Sequence, residues 1–326
     1  MGQLIKIQDY VSRYEQNIFS YPSRYVRLKR QQWEKLQALW EEGYPFGGTM
    51  EEVALPSWEE EAKEPVIDKI KDFFRLRKKD TEEPDAYEED VKTVENESSS
   101  LNFYPAISFR PSTLEDLKYQ FLDQLFKFQM KWASTTLMEK SFVDKKYLFD
   151  PRLKYFLQRF PDTFLVLYKP IFLLKKAPVE GEIILVTPTD VWCITFLEGE
   201  DLSVFIGSSD HFWIKRNKQR EEKVLNPLIS LNRTGKIVKK IFQLYEIELP
   251  IHKVVLCRNG YVDFPSPPYD VEFIEKRNYE KWFQSMRAHR SPLKHVQMKA
   301  AEALLEYCMT TSIRRLEWEI RPEQES

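Results

Sequence analysis

Five of the six acidic residues between positions 180 and 201 are the first candidates for chemistry in this sequence. They are Glu180, Glu182, Glu198, Glu200 and Asp201. Carboxylate oxygens are the ligands that Mg²⁺ prefers, so such a cluster could hold a metal ion that activates water. The same residues are also typical of a strand entry at Glu180-Gly181 and of a polar turn at 198–201. We favour this structural interpretation, and the metal site is the alternative.

The cysteines and histidines are too dispersed to indicate a disulfide framework or a zinc site. The sequence contains Cys193, Cys257 and Cys308, and its histidines are His211, His252, His289 and His295. None of them stands at the spacing of a metal-ligand pair. We therefore predict reduced, buried cysteines, histidines of the ordinary surface or core kind, no metal site and no cofactor.

The hydrophobic pattern changes its period along the chain and predicts an α/β fold. Apolar residues at helical spacing predict two helices within residues 4–41, broken at Tyr21-Pro22-Ser23, and further helices at 66–74, 117–132, 227–244, 279–286 and 292–307. Short strand-like runs predict strands at 163–168, 182–187, 191–197, 203–206, 212–214, 252–257 and 271–274. This order predicts a mixed β-sheet flanked by helices and preceded by a helical N-terminal region.

Composition divides the chain into four parts. We predict a helical N-terminal region over residues 1–75, a charged flexible linker over 76–112, an α/β domain over 113–290, and a C-terminal helix and tail over 291–326. The linker is predicted because its residues are charged, poor in aromatic side chains and include the run Ser98-Ser99-Ser100.

The segment from Val179 to Leu197 carries a family resemblance. Glu182 opens one apolar run, Pro188 lies in a turn, and Thr195 stands in a second run thirteen positions after Glu182. The arrangement resembles the core hairpin of the NERD, or nuclease-related, domain, a relative of the PD-(D/E)xK nucleases. In that family an Asp opens the first strand and a Glu-x-Lys motif lies on the second. Trp192, Trp213 and Asn226-Pro227 before a helix are also similar, and the resemblance covers about half of the chain.

The resemblance implies a nuclease-like fold whose catalytic positions have changed. Glu182 holds the Asp position, Thr195 replaces the Glu and Leu197 replaces the Lys. A magnesium site usually takes carboxylates from two positions, and the lysine helps to activate the attacking water. A single carboxylate beside a hydroxyl and an isobutyl group is a poor magnesium site. We therefore expect a catalytically inactive domain.

The leading hypothesis is a scaffold that binds nucleic acid, either DNA or RNA, or protein. The formal net charge is −2, but residues 1–100 contain 15 basic and 22 acidic side chains, which leaves 34 basic and 29 acidic side chains for the rest. A basic surface can bind phosphates. The candidates are Arg216, Lys218, Arg233, Lys239 and Lys240, with Lys175, Lys176, Lys215 and Arg220 nearby and with Phe212 and Trp213 among them.

Two other hypotheses remain open at this point. In the first, the chain is a divergent nuclease in which Glu182 and relocated carboxylates such as Glu180 or Glu200 hold Mg²⁺ or Mn²⁺. In the second, it is an adaptor that binds a protein partner through the aromatic N-terminal helices. The adaptor hypothesis predicts that a chain without residues 1–100 loses its partner and that the remaining C-terminal part still folds.

Other classes of function have little support. The sequence contains no Walker loop, no dinucleotide-binding glycine pattern and no nucleophile elbow among its nine glycines. No apolar run approaches the length of a membrane span, and the first residues lack the order of a secretory signal. We therefore expect a cytoplasmic protein with no membrane partner.

Overall fold

The computed structural model describes residues 1–43, 107, 111–175, 177–218 and 220–315, and it shows an α/β protein with a mixed β-sheet flanked by helices. The helix predicted at 66–74, the linker apart from residues 107, 111 and 112, Lys176 and the tail beyond residue 315 lie outside the described residues. The chain divides into two compact units. Unit 1 comprises Met1–Arg30 with Leu125–Ser326, and unit 2 comprises Gln31–Gln124.

The described elements are named here in chain order. The strands are β1 (Gln3–Ile7), β2 (Glu139–Lys140), β3 (Leu165–Tyr168), β4 (Ile171–Leu174), β5 (Ala177–Glu180), β6 (Ile183–Val186), β7 (Val191–Phe196), β8 (Val204–Ile206), β9 (Phe212–Asn217), β10 (Arg220–Leu225), β11 (Ile251–Cys257), β12 (Tyr261–Asp263), β13 (Glu272–Glu275) and β14 (Ile313–Arg314). The helices are α1 (Arg13–Gln16), α2 (Tyr21–Glu41), α3 (Leu114–Trp132), α4 (Lys145–Leu148), α5 (Pro151–Arg159), α6 (Pro227–Leu244), α7 (Tyr279–Arg287) and α8 (His295–Glu306).

A six-stranded sheet organises unit 1, with the strand order β1-β3-β6-β7-β11-β13. Neighbouring strands are parallel except where β6 pairs with β3 and β7, so β6 alone runs against the others. The β6–β7 hairpin therefore lies in the middle of the sheet, with the parallel strands β11 and β13 on one side and β3 and β1 on the other. A mostly parallel sheet is buried on both faces, and helices cover both faces of this sheet.

The two faces of this sheet bury different helices. On one face, Ile183, Ile194 and Val254 belong to a core cluster that includes aromatic side chains of α5 and α7. On the other face, α6 packs on β7 and β11, and α8 packs on β6 and α6. Because side chains alternate along a strand, Cys193 and Thr195 point away from the Ile194 cluster, toward the α6 face.

Local signals explain where two helices of unit 1 begin. Asn226 caps α6, accepting a hydrogen bond from the Leu228 N–H at 3.0 Å, and Pro227 takes the first helical position. Asp150 and Pro151 do the same for α5, which the hydrophobic pattern did not predict. The helix predicted at 227–244 is confirmed at both ends.

A second sheet and two short pairs complete unit 1. The second sheet has the order β10-β9-β8-β12. β4 and β5 form an antiparallel hairpin, and β14 pairs with β2. The predicted strands at 203–206 and 212–214 belong to the second sheet, whereas β4, β5 and β10 were not predicted.

The helix predicted for the first residues of the chain is wrong. Residues 3–7 form β1, which is buried along its whole length and pairs in parallel with β3. Leu4 and Ile7 fit a helical spacing, but Ile5 and Lys6 between them are equally buried, as in a strand covered on both faces. The predicted helical N-terminal region therefore begins with a strand of the central sheet, and only the four-residue α1 precedes α2.

Unit 2 contains the end of α2 and the start of α3. Trp33 of α2 contacts Phe121 of α3, with ring centroids 5.4 Å apart. The Trp40 indole N–H donates to the Pro111 carbonyl at 3.1 Å. Within the described residues of this unit, both tryptophans of α2 therefore contact other residues of the same unit.

Candidate functional site

The β6–β7 hairpin brings together the three positions that the family resemblance predicts. Ile183 pairs with Ile194, so the antiparallel register places Glu182 opposite Thr195, one step beyond the ladder. Thr195 is 5% exposed, and Leu197 is 6% exposed, with its N–H donating to the Leu256 carbonyl at 2.9 Å. The three positions therefore lie on one hairpin, and the two on the β7 side are buried and carry no carboxylate.

Helix α6 covers this part of the hairpin. The Glu182 backbone N–H donates to the Thr234 hydroxyl at 2.9 Å. Gly235 lies so close to β11 that a Cβ atom there would meet Cδ of Lys253 at 2.9 Å. The small residue at this position allows the helix to approach the sheet.

Lys253 is a lysine of this site that the sequence analysis did not identify. It lies on β11 in register with Cys193 of the neighbouring strand β7. Its ammonium donates to Asn232 Oδ1 at 2.6 Å and to Asp270 Oδ2 at 2.5 Å. The lysine is therefore engaged in an ion pair. A polar residue inside an apolar strand was the only local signal for it.

Burial and two charged side chains affect the pKa of the Cys193 thiol. Burial raises the pKa of its thiol to about 12, while the Lys253 ammonium acts to lower the pKa and the Glu182 carboxylate acts to raise it. Both charged groups therefore lie near the sulfur atom. Cys193 stays a neutral thiol near pH 7 and is not a nucleophile.

The side chains at these positions do not fit a magnesium or manganese ion. Glu182 supplies one carboxylate, Thr195 a buried hydroxyl and Leu197 no ligand atom, and Lys253 adds a positive charge nearby. Such an ion needs several oxygen ligands. Among the described residues, no group of three or more His, Cys, Asp and Glu side chains is arranged to hold a metal.

The other carboxylates of the hairpin region have separate partners. Glu198 pairs with Arg258 at 2.5 Å and with Arg152 at 3.1 Å. Glu200 pairs with Lys215 at 2.6 Å. These contacts leave Glu198 and Glu200 committed to cations, so they do not complete a metal site with Glu182.

The predicted nucleic-acid residues fall into two groups with different surroundings. In the second sheet, Arg216 pairs with Glu221 at 2.8 Å, and Lys215 contacts both Glu200 and Glu222. Exposed Lys218 lies at the turn beyond β9, near the same acidic side chains. Acidic side chains therefore compensate Lys215 and Arg216, whereas Lys218, Arg220 and Lys223 make no ion pair within the described residues.

The second group lies on α6. Arg233, Lys236, Lys239 and Lys240 are all exposed. Within the described parts of the chain none of the four makes an ion pair, and the Arg233 guanidinium donates to the Glu180 carbonyl at 3.0 Å. This helix therefore presents a cationic surface that nearby carboxylates do not neutralise.

The aromatic residues predicted beside the basic residues differ in exposure. Trp213 is completely buried, donates from its indole N–H to the Ser208 carbonyl at 2.9 Å and packs on Phe264 and Phe273. Phe212 is half exposed. Trp213 is therefore a core residue of the second sheet and is not available for stacking on a base.

A network of histidines and acidic side chains lies at the opposite end of the β6–β7 hairpin. His252 Nε2 is 3.2 Å from Asp190 Oδ1, and its Nδ1 is 3.5 Å from Glu272 Oε1. The His252 ring also stacks on Trp192, with centroids 4.2 Å apart. The Thr189 hydroxyl donates to Asp190 and contacts His289 Nε2 at 3.1 Å.

This network connects four separate segments of unit 1. The β6–β7 turn supplies Thr189 and Asp190, β11 supplies His252, β13 supplies Glu272, and the segment after α7 supplies His289. The prediction that the histidines are dispersed holds for the sequence but not for the fold. No local signal marks the grouping, because β7, β11 and β13 are distant in sequence but parallel in the sheet, so that their first residues lie side by side.

Part of the sequence is similar to a known enzyme. No protein-family model matches the sequence. An RNA 2',3'-cyclic phosphodiesterase from Geobacillus stearothermophilus is 36% identical over 131 residues, which are 40% of this chain and 36% of that protein. The chain therefore spans about a third of the length of this curated relative. No solved structure matches the fold.

Membrane insertion through a helix finds no support in the described residues. None of their helices is both long enough and apolar enough to cross a bilayer.

Proposed function

We propose that this chain is a nuclease-related protein that binds nucleic acid as a scaffold and has no metal-dependent nuclease activity. The observation that carries the proposal is the uncompensated positive charge of α6, where Arg233, Lys236, Lys239 and Lys240 are exposed. Lys and Arg side chains on one surface bind phosphates and release the counterions of the nucleic acid. The paired cations of the second sheet contribute less to binding.

The hairpin supports the second half of the proposal. Glu182 and Thr195 lie at the positions where a nuclease of this type needs two carboxylates, and α6 covers them. Conversion of a ligand position to a buried threonine removes the metal, and a buried leucine in place of the lysine removes the group that would activate water. The chain therefore has the hairpin but lacks the side chains that this chemistry requires.

The relative from Geobacillus stearothermophilus supports a nucleic-acid ligand, since its name refers to RNA. A cytoplasmic location, where RNA and DNA are both accessible to a bacterial-type protein, is part of the proposal. Tyr14, Tyr21 and Tyr25 lie in the core of unit 1, so they are not available to a protein partner. The proposed contact for such a partner is therefore the set of half-buried residues of α2.

Binding is tested by fluorescence anisotropy with labelled RNA and DNA oligonucleotides and the full chain. The variant Lys239→Glu/Lys240→Glu reverses two charges on α6, and Lys215→Glu/Arg216→Glu makes the same change at the paired cations of the second sheet. We expect the first variant to weaken binding at least tenfold and the second to weaken it much less. Equal effects of the two variants, or no binding by the wild type, would contradict the proposal.

Absence of cleavage is tested separately by calorimetric titration with Mg²⁺ and Mn²⁺ and by incubation with single-stranded and double-stranded DNA. We expect neither metal binding nor cleavage for the wild type and for Glu182→Ala. Cleavage by the wild type that disappears in Glu182→Ala would instead establish the divergent nuclease.

The histidine network supports a second candidate, the opening of a 2',3'-cyclic phosphate on RNA. This hydrolysis needs a base that removes a proton from water and an acid that protonates the leaving ribose oxygen. His252 and His289 are two imidazoles connected through Asp190 and Thr189, and the named activity of the relative favours this chemistry. Against it, His252 already faces a carboxylate on each side.

Phosphorus NMR of an oligonucleotide that ends in a 2',3'-cyclic phosphate tests the second candidate. If the network is catalytic, the wild type opens the ring, His252→Gln lowers the rate by about 100-fold or more, and the exposed control His211→Gln does not. An intact cyclic phosphate after incubation with the wild type removes this candidate and leaves the network as a structural contact.

A further inference from the structure

A groove of about 500 Å³ runs along α6 in unit 1. Its apolar walls come from three separate elements: the β4–β5 hairpin, α6 and the end of α8. The wall residues are Leu174, Val179, Ile237, Ile241, Leu244 and Tyr307. The volume lies within the range of pockets that hold small organic ligands.

The groove combines apolar surface with cations. Leu244 is 69% exposed and Ile229, which also lines the groove, is 39% exposed, so water covers apolar side chains there. Arg233, Lys236 and Lys240 lie along the same groove. An occupant that complements both features has an apolar, flat portion and negative charges beside it.

The three cations of the groove lie close to one another along α6. Arg233, Lys236 and Lys240 are separated by three and four helical positions, which correspond to about 4.5 Å and 6 Å along the helix axis. Arg233 is fixed by its hydrogen bond to the Glu180 carbonyl at one side of the groove. The three cations therefore lie on one side of α6, along the groove, where they can contact the phosphates of a bound strand.

We propose that this groove holds an unstacked base of a single-stranded nucleic acid, while Arg233, Lys236 and Lys240 bind the adjoining phosphates. The inference rests on the proposed function and specifies its ligand. In a duplex the bases are stacked inside, whereas single strands expose base faces that apolar and aromatic side chains can cover. Tyr307 provides the aromatic ring of the groove, and Ile237, Ile241 and Leu244 of α6 provide apolar surface.

Anisotropy measurements on the full chain compare four probes of equal length: single-stranded RNA, single-stranded DNA, a duplex, and a single strand in which the bases are replaced by abasic sites. We expect each intact single strand to bind about tenfold or more tightly than the abasic strand and the duplex. RNA and DNA arms show which sugar is preferred. Polyglutamate, a polyanion without bases, should compete weakly.

Two substitutions locate the base. Leu244→Ser and Tyr307→Ala should each weaken binding of the intact single strand several-fold and leave binding of the abasic strand unchanged. Leu225→Ser is the matched control, because Leu225 is 54% exposed on β10, outside the groove. Circular dichroism confirms that each variant is folded.

The outcomes separate this inference from the function on which it rests. Binding that depends on Lys239 and Lys240 but is equal for intact and abasic strands overturns the base site and keeps the scaffold. Strong competition by polyglutamate overturns the base site in favour of an acidic protein segment. If no nucleic acid binds, both proposals fail.

Discussion

Lys6 is a charged residue in the middle of a completely buried strand. Its ammonium pairs with Glu15 and donates to the Tyr10 carbonyl and the Thr310 hydroxyl, each at 2.8 Å. Removing a charge from water is unfavourable unless partners replace the water. At the residue scale, these three partners are what make β1 compatible with the core.

Loss of the anionic partner should therefore destabilise unit 1. Glu15→Gln removes the countercharge but keeps a side chain that can accept the Ser12 cap bond, and we expect it to lower the free energy of unfolding by about 3 kcal/mol. The double variant Lys6→Met/Glu15→Gln should recover part of this loss, because no buried charge remains. Urea unfolding followed by circular dichroism measures both variants. A double variant less stable than Glu15→Gln contradicts the argument.

Asp162 should make the stability depend on pH. Burial acts to raise the pKa of Asp162, but Lys29 outweighs it through its charge and its hydrogen bond, so the pKa lies below the usual value. A lowered pKa in the folded state stabilises the protein above the unfolded pKa of about 4, and this contribution is lost as the pH falls through the folded pKa.

The variant Asp162→Asn tests this dependence. We expect a loss of about 1–2 kcal/mol at pH 7 that shrinks as the pH falls below about 4. Thermal unfolding of wild type and variant between pH 3 and pH 7 gives the comparison. In a Lys29→Met background the same substitution should have a smaller effect. A difference that stays constant with pH would contradict the assignment.

At the scale of the element, β1 is the segment whose structure differs most from its expected role. It pairs with β3, about 160 positions later, and Gln129 holds it further by accepting from the Leu4 N–H at 2.6 Å and donating to the Gly2 carbonyl at 2.7 Å. The strand thus belongs to the core of unit 1. An N-terminal truncation removes part of the central sheet.

Leu4→Ala should consequently destabilise the protein by about 3 kcal/mol, since Leu4 is completely buried. Leu244→Ala, the same change at a leucine that is 69% exposed, should change the stability little. A chain that starts at residue 101 should not fold, in contrast to the expectation from the sequence. Thermal unfolding by circular dichroism tests all three chains, and a cooperative transition of the truncated chain would show that β1 is dispensable.

The whole molecule distributes its charge unevenly. The second sheet pairs Lys215 with Glu200 and Glu222 and Arg216 with Glu221, whereas the cations of α6 are exposed and, within the described residues, make no ion pair. The formal net charge of −2 therefore hides a local positive surface. Attraction of a polyanion depends on this local distribution more than on the sum.

Salt dependence measures that distribution directly. For a single strand, the logarithm of the binding constant falls with the logarithm of salt concentration with a slope of about −0.7 for each phosphate contact. Lys239→Gln/Lys240→Gln should reduce the magnitude of the slope by about 1.4 if both residues contact phosphates. Lys215→Gln/Arg216→Gln should leave the slope nearly unchanged, because carboxylates already pair with both side chains. Equal slopes for wild type and both variants would show that Lys239 and Lys240 of α6 do not contact phosphates.

The sequence by itself determined part of the local structure of this protein. The α/β class, the helix at 227–244 with its Asn226-Pro227 start, and the strands on both sides of the Pro188 turn follow from periodicity, capping and turn residues, which act over a few positions. The degenerate motif positions Glu182, Thr195 and Leu197 were also visible, because they lie within one hairpin. Their relation to the nuclease-related family stays a prediction.

Only the tertiary structure decided which distant residues meet. Lys253 reaches the Cys193 face from another strand, and His252 meets Asp190 and Glu272 at one sheet edge. The strand at residues 3–7 was missed because its partner, β3, lies far away in the sequence and a short apolar run fits either a helix or a strand. Ion pairing separated the exposed cations of α6 from the compensated cations of the second sheet, and such pairing depends on contacts that no local pattern encodes.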